Sequence, residues 1–146
     1  MMAYHIFQIG QQRYAIDSHD ILGMMPLSPL SFLPYSHSAV LGLTVWQGQV
    51  IPVLDLLLFW TIPTKEASHQ QILIVKNKEK KGARAGLFGI AVTKALVIDR
   101  LPEDNITAIS GNHVKRTGVI GSVMTQEARV TVLAAEIFAK TIQYTV

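Results

Sequence analysis

The chain has 146 residues, about the length of one ordinary domain and enough to bury a core. It is 49% apolar and only 16% charged, which argues against intrinsic disorder, and without cysteine it can form no disulfide framework, thiolate metal site or thiol nucleophile. The formal charge of +3 is too small by itself to argue for nucleic acid, but it is unevenly spread: residues 1–64 hold one base (Arg13) against three acids (Asp17, Asp20, Asp55), and residues 65–146 hold twelve bases against seven acids.

In chain order, the apolar segments are short, rich in β-branched and aromatic residues, and separated by turn residues, a pattern of strands. The expected strands are His5–Ile9, Arg13–Ile16, Ile21–Met25, Val40–Trp46, Gln49–Leu54, Gln71–Lys76, Leu87–Val92, Leu96–Leu101, Thr117–Met124 and Arg129–Leu133. Gly10-Gln11-Gln12 reads as one tight hairpin turn and Gln47-Gly48 as another, with glycine supplying the positive φ. Pro26, Pro29 and Pro34 mark one irregular connection. Two short helices are expected: Asp55–Trp60, capped by Asp55 and ended by Pro63, and Ala134–Ile142, with Ile137, Phe138 and Ile142 at helical spacing. Strands every 8–12 residues without βαβ alternation predict an all-β barrel or sandwich. Lys76, Lys78, Lys80, Lys81 and Arg84 fall between two apolar runs and read as a solvated hairpin loop.

The charge-poor first half is either more deeply buried or carries an exposed apolar patch of the kind that marks a partner interface. Met1–Gly10 has neither a basic start nor a cleavage site of the secretory type. The most apolar run, Val50–Pro63, is interrupted by Asp55 and is shorter than the roughly 20 residues of a membrane span. A cytoplasmic protein with no direct membrane insertion is therefore expected.

No catalytic pattern emerges. His5, His19, His37, His69 and His113 are far apart in sequence and form no metal-binding pair. Gly86–Lys94 lacks phosphate-loop spacing, no Gly-x-Ser-x-Gly occurs, and Asp17 and Asp20 suit a turn better than acid–base catalysis. The Asn105-Ile106-Thr107 sequon has no secretory context. The expectation is a protein that is not an enzyme and takes no cofactor or metal.

The order of the remaining motifs resembles the CheW-like family of chemotaxis coupling domains over nearly the whole chain. Phe7-Gln8-Ile9-Gly10 with Arg13-Tyr14-Ala15-Ile16 is similar to the family's opening hairpin, and Leu33-Pro34 then Leu41-Gly42 to the loop before its central hairpin. Gly42–Leu56 parallels the family run of Gly, strand, Arg-Gly, then a strand ending Pro-x-x-Asp-Leu. Leu87–Val92 resembles its later Gly-Leu-x-Val strand, and Gly118-Val119-Ile120 with Val130–Leu133 its closing hairpin. The resemblance implies one domain over residues 2–142, built as two intertwined five-stranded SH3-like barrels with a shared apolar seam and a short C-terminal helix. Gly10, Gly42, Pro52 and Asp55 would be its structural signature.

It also implies a non-catalytic adaptor. The expected partners are the regulatory domain of a CheA-type histidine kinase, the cytoplasmic tip of a methyl-accepting chemoreceptor, and other CheW-like domains, with the groove between the barrels taking a receptor helical hairpin. Receptor contact is expected at Val45, Trp46 and Gln47, and receptor or other partner contact at Gly48, Pro34 and Val40, with Trp46 either a core residue or an exposed anchor. Where the family has Asn-x-Arg-Gly this chain has Val45-Trp46-Gln47-Gly48, and glutamine lacks the charge and planar fork of arginine. The loss of a charge-assisted contact is worth about tenfold in affinity at that point. The family's Val-Asp becomes Val92-Thr93, and its Leu-Asp before the last helix becomes Leu133-Ala134. Such drift suits a divergent member with a different partner set, such as the chemosensory system controlling type IV pili and twitching. The alternative is a small barrel that binds nucleic acid through its basic second half, which requires exposed aromatics interleaved with Lys and Arg.

Overall fold

In the computed structural model, residues 2–63, 69–77, 86–102, 106–108 and 111–142 are described. The strands are β1 (Met2–Ile9), β2 (Gln12–Asp17), β3 (Ile21–Pro26), β4 (Val40–Trp46), β5 (Gln49–Leu54), β6 (Gln71–Lys76), β7 (Leu87–Val92), β8 (Lys94–Leu101), β9 (Thr107–Ala108), β10 (Val119–Met124) and β11 (Arg129–Leu133). Three short helices accompany them: α1 (Leu56–Phe59), α2 (Gly111–Thr117) and α3 (Ala135–Ala139). Single 3-10 turns occupy Ser18–Asp20 and Lys140–Ile142.

The strands form two sheets, which we call A and B. Sheet A runs β8-β1-β2-β11-β10-β9 and sheet B runs β3-β6-β7-β5-β4. The orders are one pattern used twice. In each sheet an antiparallel hairpin (β1–β2 or β6–β7) lies parallel to the second strand of another hairpin (β11 or β5) and takes a crossing strand (β8 or β3) on its outer edge. The β1–β2 hairpin pairs with strands from the second half of the chain, and β6–β7 with strands from the first. This exchange interlocks the barrels, and Thr93 is the single residue between β7 of sheet B and β8 of sheet A.

The repetition is visible residue by residue. Residues 39–59 match 118–138 without a gap, sharing Val40/Val119, Gly42/Gly121, Gln47/Gln126, Val53/Val132, Leu54/Leu133 and Phe59/Phe138. Both copies shift register just before the shared glycine. A Cβ on Gly42 would lie 2.6 Å from the Ser31 carbonyl oxygen, and one on Gly121 would lie 2.3 Å from that of Thr107. Each glycine therefore lets another backbone segment close the barrel: Ser31 bridges to Leu43, and β9 pairs with β10.

Burial follows this arrangement. The β6–β7 hairpin is covered on both faces, so Ile72–Val75 and Leu87–Val92 read as nearly continuous apolar runs, and the middles of β1 and β2 are likewise buried on both faces. Tyr4, Ile6 and Ala15 point into barrel A, and Ile72, Ile74 and Ala91 into barrel B. The opposite faces of the same strands (Phe7, Tyr14 and Ile16; Leu73, Phe88 and Ile90) join Leu54, Leu133 and Phe138 in the largest cluster, along the seam. Barrel B closes where β3 and its continuation run beside β4. There the Trp46 ring lies on Gly23, the Ser28 and Thr44 hydroxyl oxygens lie 3.3 Å apart, and Ser31 pairs with Leu43.

Several expectations change at element ends. The expected strand Thr117–Met124 begins only at Val119, because Thr117 ends α2 and Gly118 turns the chain with φ +75°. Helix α2 has no apolar period to announce it; Gly118 N–H donates to the Val114 carbonyl at 2.7 Å and the Thr117 hydroxyl to that of His113 at 2.7 Å. Pro26 lies in β3 rather than in the irregular connection, which the edge of a sheet tolerates. Pro52 lies within β5, but the ladder to β7 begins only at Val53. The expected basic loop lies outside the described residues beyond Asn77, as does Asn105 of the sequon.

Candidate functional site

A four-residue helix is far too short to hold itself in water, so α1 depends on its ends. At its start the Asp55 carboxylate accepts from the N–H groups of Leu57 (2.8 Å) and Leu58 (3.2 Å). The other Asp55 oxygen lies 2.9 Å from His69 Nε2, and both side chains are nearly buried. Burial alone would push this carboxyl's pKa up; the His69 hydrogen bond and charge, with the two backbone donors, outweigh it and hold the pKa below 3.8.

At its end, Ile62 N–H donates to Leu57 and Thr61 N–H to Leu58, the paired bonds of a Schellman stop. That stop needs a left-handed residue, and Thr61 takes it with φ +54°, a strained position for a β-branched side chain. The result turns Trp60, Thr61 and Ile62 toward the second barrel. The Trp60 indole N–H donates to the Thr117 carbonyl at 2.7 Å and so ties α1 to the end of α2. Its ring stacks on Tyr14 (centroids 5.4 Å apart) and meets Phe138 edge-on, while Phe138 also meets Phe59, its counterpart in the internal repeat, at 5.1 Å.

Between these elements lies a groove of about 580 Å³. Phe59, Trp60 and Ile62 wall one side, His113, Arg116 and Thr117 of α2 the other, and Tyr14, Val119 and Thr131 line it from sheet A. Burial pushes the Tyr14 phenol's pKa up, so it stays neutral. The arrangement offers apolar, largely aromatic area with a basic rim, the chemistry of recognition rather than of bond-making. Among the described residues no three His, Asp or Glu side chains gather as metal ligands.

The residues expected to contact partners separate into two places. Val45, Trp46, Gln47 and Gly48 are at the β4–β5 tip, where Gln47 and Gly48 turn the chain with φ +49° and +77°, as in a type I′ hairpin. Val45 and its register partner Val50 are exposed side by side, with Leu22 and Met24 exposed on β3 on either side of Gly23. Trp46 is half-buried against Gly23, as a plug more than an anchor. Pro34 is exposed in the loop before β4, and Val40 begins β4, six residues from Trp46 and roughly 20 Å along the strand. The whole segment 21–54 contains no Asp, Glu, Lys or Arg, so this end of barrel B is charge-free in its own sequence.

Gly10 turns β1 into β2 with φ +60°, and its N–H donates to Thr93 Oγ1 at 2.8 Å, which ties the hairpin turn to the junction of the two sheets. Gly42 admits Ser31, and Asp55 caps α1. Sequence reasoning missed Trp60 as a groove residue and α2 altogether. The 39–59/118–138 repeat marks Phe59 and Phe138 as a matched pair but stops short of Trp60.

A CheW-like domain family model matches residues 3–140. The chain belongs to the CheW-like family. CheW-like domains are non-catalytic scaffolds of chemosensory signalling. Protein FrzA of Myxococcus xanthus is 36% identical over 112 residues; the match covers 70% of this chain and spans only 61% of FrzA. The crystal structure of the scaffolding protein TtCheW from Thermoanaerobacter tengcongensis superposes with a TM-score of 0.75 at 18% identity, over 90% of this chain and 83% of that one, which shows the CheW-like fold of two interlocked barrels. These matches lend no support to nucleic-acid binding, and among the described residues the exposed aromatics, Phe32 and Tyr35, fall in the charge-free segment, away from the bases in sequence. Among the described residues no helix is long and apolar enough to cross a membrane.

Proposed function

We propose that the chain is a cytoplasmic adaptor that couples a methyl-accepting chemoreceptor tip to the regulatory domain of a CheA-type histidine kinase. The observation that carries this reading is the inter-barrel groove. It is walled by both halves of the fold, lined by aromatic rings, and bordered by strands already paired on both sides. β2 lies between β1 and β11, and β11 between β2 and β10, so no ladder is open for an added strand. Such a groove takes side chains from a helix, as a receptor's helical hairpin would present them.

The charge-free β4–β5 tip, with Val45, Val50, Leu22 and Met24, suits the apolar packing of another CheW-like barrel, that of the kinase or of a related domain. Tip and groove are separated by the length of β5, roughly 17–20 Å, so one molecule can hold both partners at once. Coupling is then positional: the adaptor fixes the distance and orientation between receptor and kinase.

Co-purification with the CheA-type kinase and the receptor of the same cell tests this. Trp60→Ala is expected to remove the receptor while keeping the kinase, and the pair Val45→Glu/Val50→Glu to do the reverse. If both variants retain both partners, these surfaces are wrongly assigned; if the unmodified protein retains neither, the adaptor reading is wrong. Gln47→Arg, which restores the family's charge at the tip, should strengthen a partner contact there by up to about tenfold.

A further inference from the structure

We propose that Arg116 and His113 make the groove selective for a helix with carboxylates beside its apolar stripe; this rests on reading the groove as a helix site. The two side chains are three residues apart on α2 and so share a face. Both line the groove, and no carboxylate does so among its lining residues. Neither is in an ion pair among the described residues. The wall opposite, Phe59, Trp60 and Ile62, is apolar. An occupant therefore meets apolar area on one side and, on the other, the Arg116 guanidinium with the His113 ring beside it as a hydrogen-bonding group.

Other occupants fit less well. The strands beneath have no open edge, which excludes strand addition. The Trp60 indole N–H, the donor that a polyproline segment's carbonyl would need, is committed to Thr117. A small free anion would find Arg116 exposed and His113 only half-buried, without enclosure. An amphipathic helix satisfies both sides: its apolar stripe packs on the aromatic wall, and acids one turn apart on its flank meet Arg116 and His113. Helix α2 is held in place to present them. The Trp60–Thr117 bond, the Thr117 hydroxyl on His113 and Gly118 N–H on Val114 all fix its C-terminal turn.

The test uses two stapled, fluorescein-labelled helices with the same leucine stripe, one flanked by glutamates and one by lysines, titrated with the full chain by fluorescence anisotropy. The glutamate helix is expected to bind about tenfold more tightly at low salt, and the difference should shrink above about 0.5 M salt as screening shortens. Arg116→Glu should reverse the preference, while Trp60→Ala weakens both helices alike. Equal binding of the two helices, or a preference that survives Arg116→Glu, overturns the selectivity. If that happens while Trp60→Ala still abolishes binding, the groove remains a helix site and only the charge rule fails. If Trp60→Ala changes nothing, or neither helix binds, the groove reading falls with it.

Discussion

The two barrels apply one backbone plan to different surface chemistry. In barrel B, Trp46 plugs the open end over Gly23, Asp55 caps the helix that follows, and residues 21–54 carry no charge. In barrel A the counterpart of Trp46 is Thr125, that of Asp55 is Ala134, and Gln126-Glu127 stands where Gln47-Gly48 makes the turn. The position of Gly23 is taken by Val97, which pairs with Ile6 as Gly23 pairs with Ile74. Without the indole, barrel A keeps a cavity of about 820 Å³, lined by Leu96, Val97, Val123 and Met124 and rimmed by Asp99, Arg100 and the Arg13–Glu127 ion pair. The positions that set the fold are shared: the bulge glycine, the Val-Leu pair and the seam phenylalanine. Apart from Gln47/Gln126, the residues at the hairpin tips and barrel ends are not, so the two ends of the molecule are suited to different neighbours.

The sharpest difference is at the helix caps, and Asp55→Ala should give the largest effect. It removes two capping bonds and leaves the nearly buried His69 without its acceptor, at a cost of about 3 kcal/mol in chemical unfolding. A loss below 1 kcal/mol would mean that α1, like α3, stands without a side-chain cap. The same group gives a pH signature. Its pKa in the folded chain is lowered from 3.8, so its contribution is complete well above pH 3.8 and is lost as pH falls below it toward the folded value. Asp55→Ala should erase that part of the acid destabilisation, whereas Ala134 has nothing to titrate.

Next come the barrel ends. Trp46→Ala opens barrel B and is expected to cost about 2–3 kcal/mol, because the ring is half-buried. Thr125→Ala removes only turn bonds around Ala128, for about 1 kcal/mol. Equal losses in the two variants would show that Trp46 is not a plug. Smaller still is the effect at the end of α1, where Thr61 has φ +54° and its counterpart Lys140 has φ −63°. Thr61→Gly should relieve that strain and raise stability by about 1 kcal/mol, while the corresponding Lys140→Gly lowers it.

Much of this plan was legible in the sequence because its signals are local. Gly10, Gln47-Gly48 and Asp55 announce turns and a cap by residue type alone, and β6 and β7 announce burial on both faces by unbroken apolar runs. The hairpin exchange was not legible from periodicity, since pairing β3 with β6 or β8 with β1 joins residues far apart in the chain, from Pro26 with Gln71 to Met2 with Leu101. Helix α2 was hidden because Gly111–Thr117 has no apolar stripe and is held by bonds at its ends. The groove was hidden for a related reason: Trp60 reads as the end of a short apolar helix, and only the left-handed Thr61 and the contact with Thr117 turn it into a wall.

The smallest effect tests whether the missing cap of barrel A is a simple absence. Ala134 has φ −97° and ψ 106°, against −110° and 113° for Asp55, so the backbone is already in cap geometry without a side chain to use it. A serine there would accept from the Glu136 N–H, which corresponds to that of Leu57 in α1. Serine suits the position better than aspartate because Ala134 is buried and aspartate's second oxygen, taken up by His69 in barrel B, would need a partner of its own. Ala134→Ser should therefore add about 0.5–1 kcal/mol, seen as a rise of about 2–3 °C in Tm. A lower Tm would show that the seam around α3 is packed too tightly for a hydroxyl, and that alanine there reflects packing rather than a cap that was never filled.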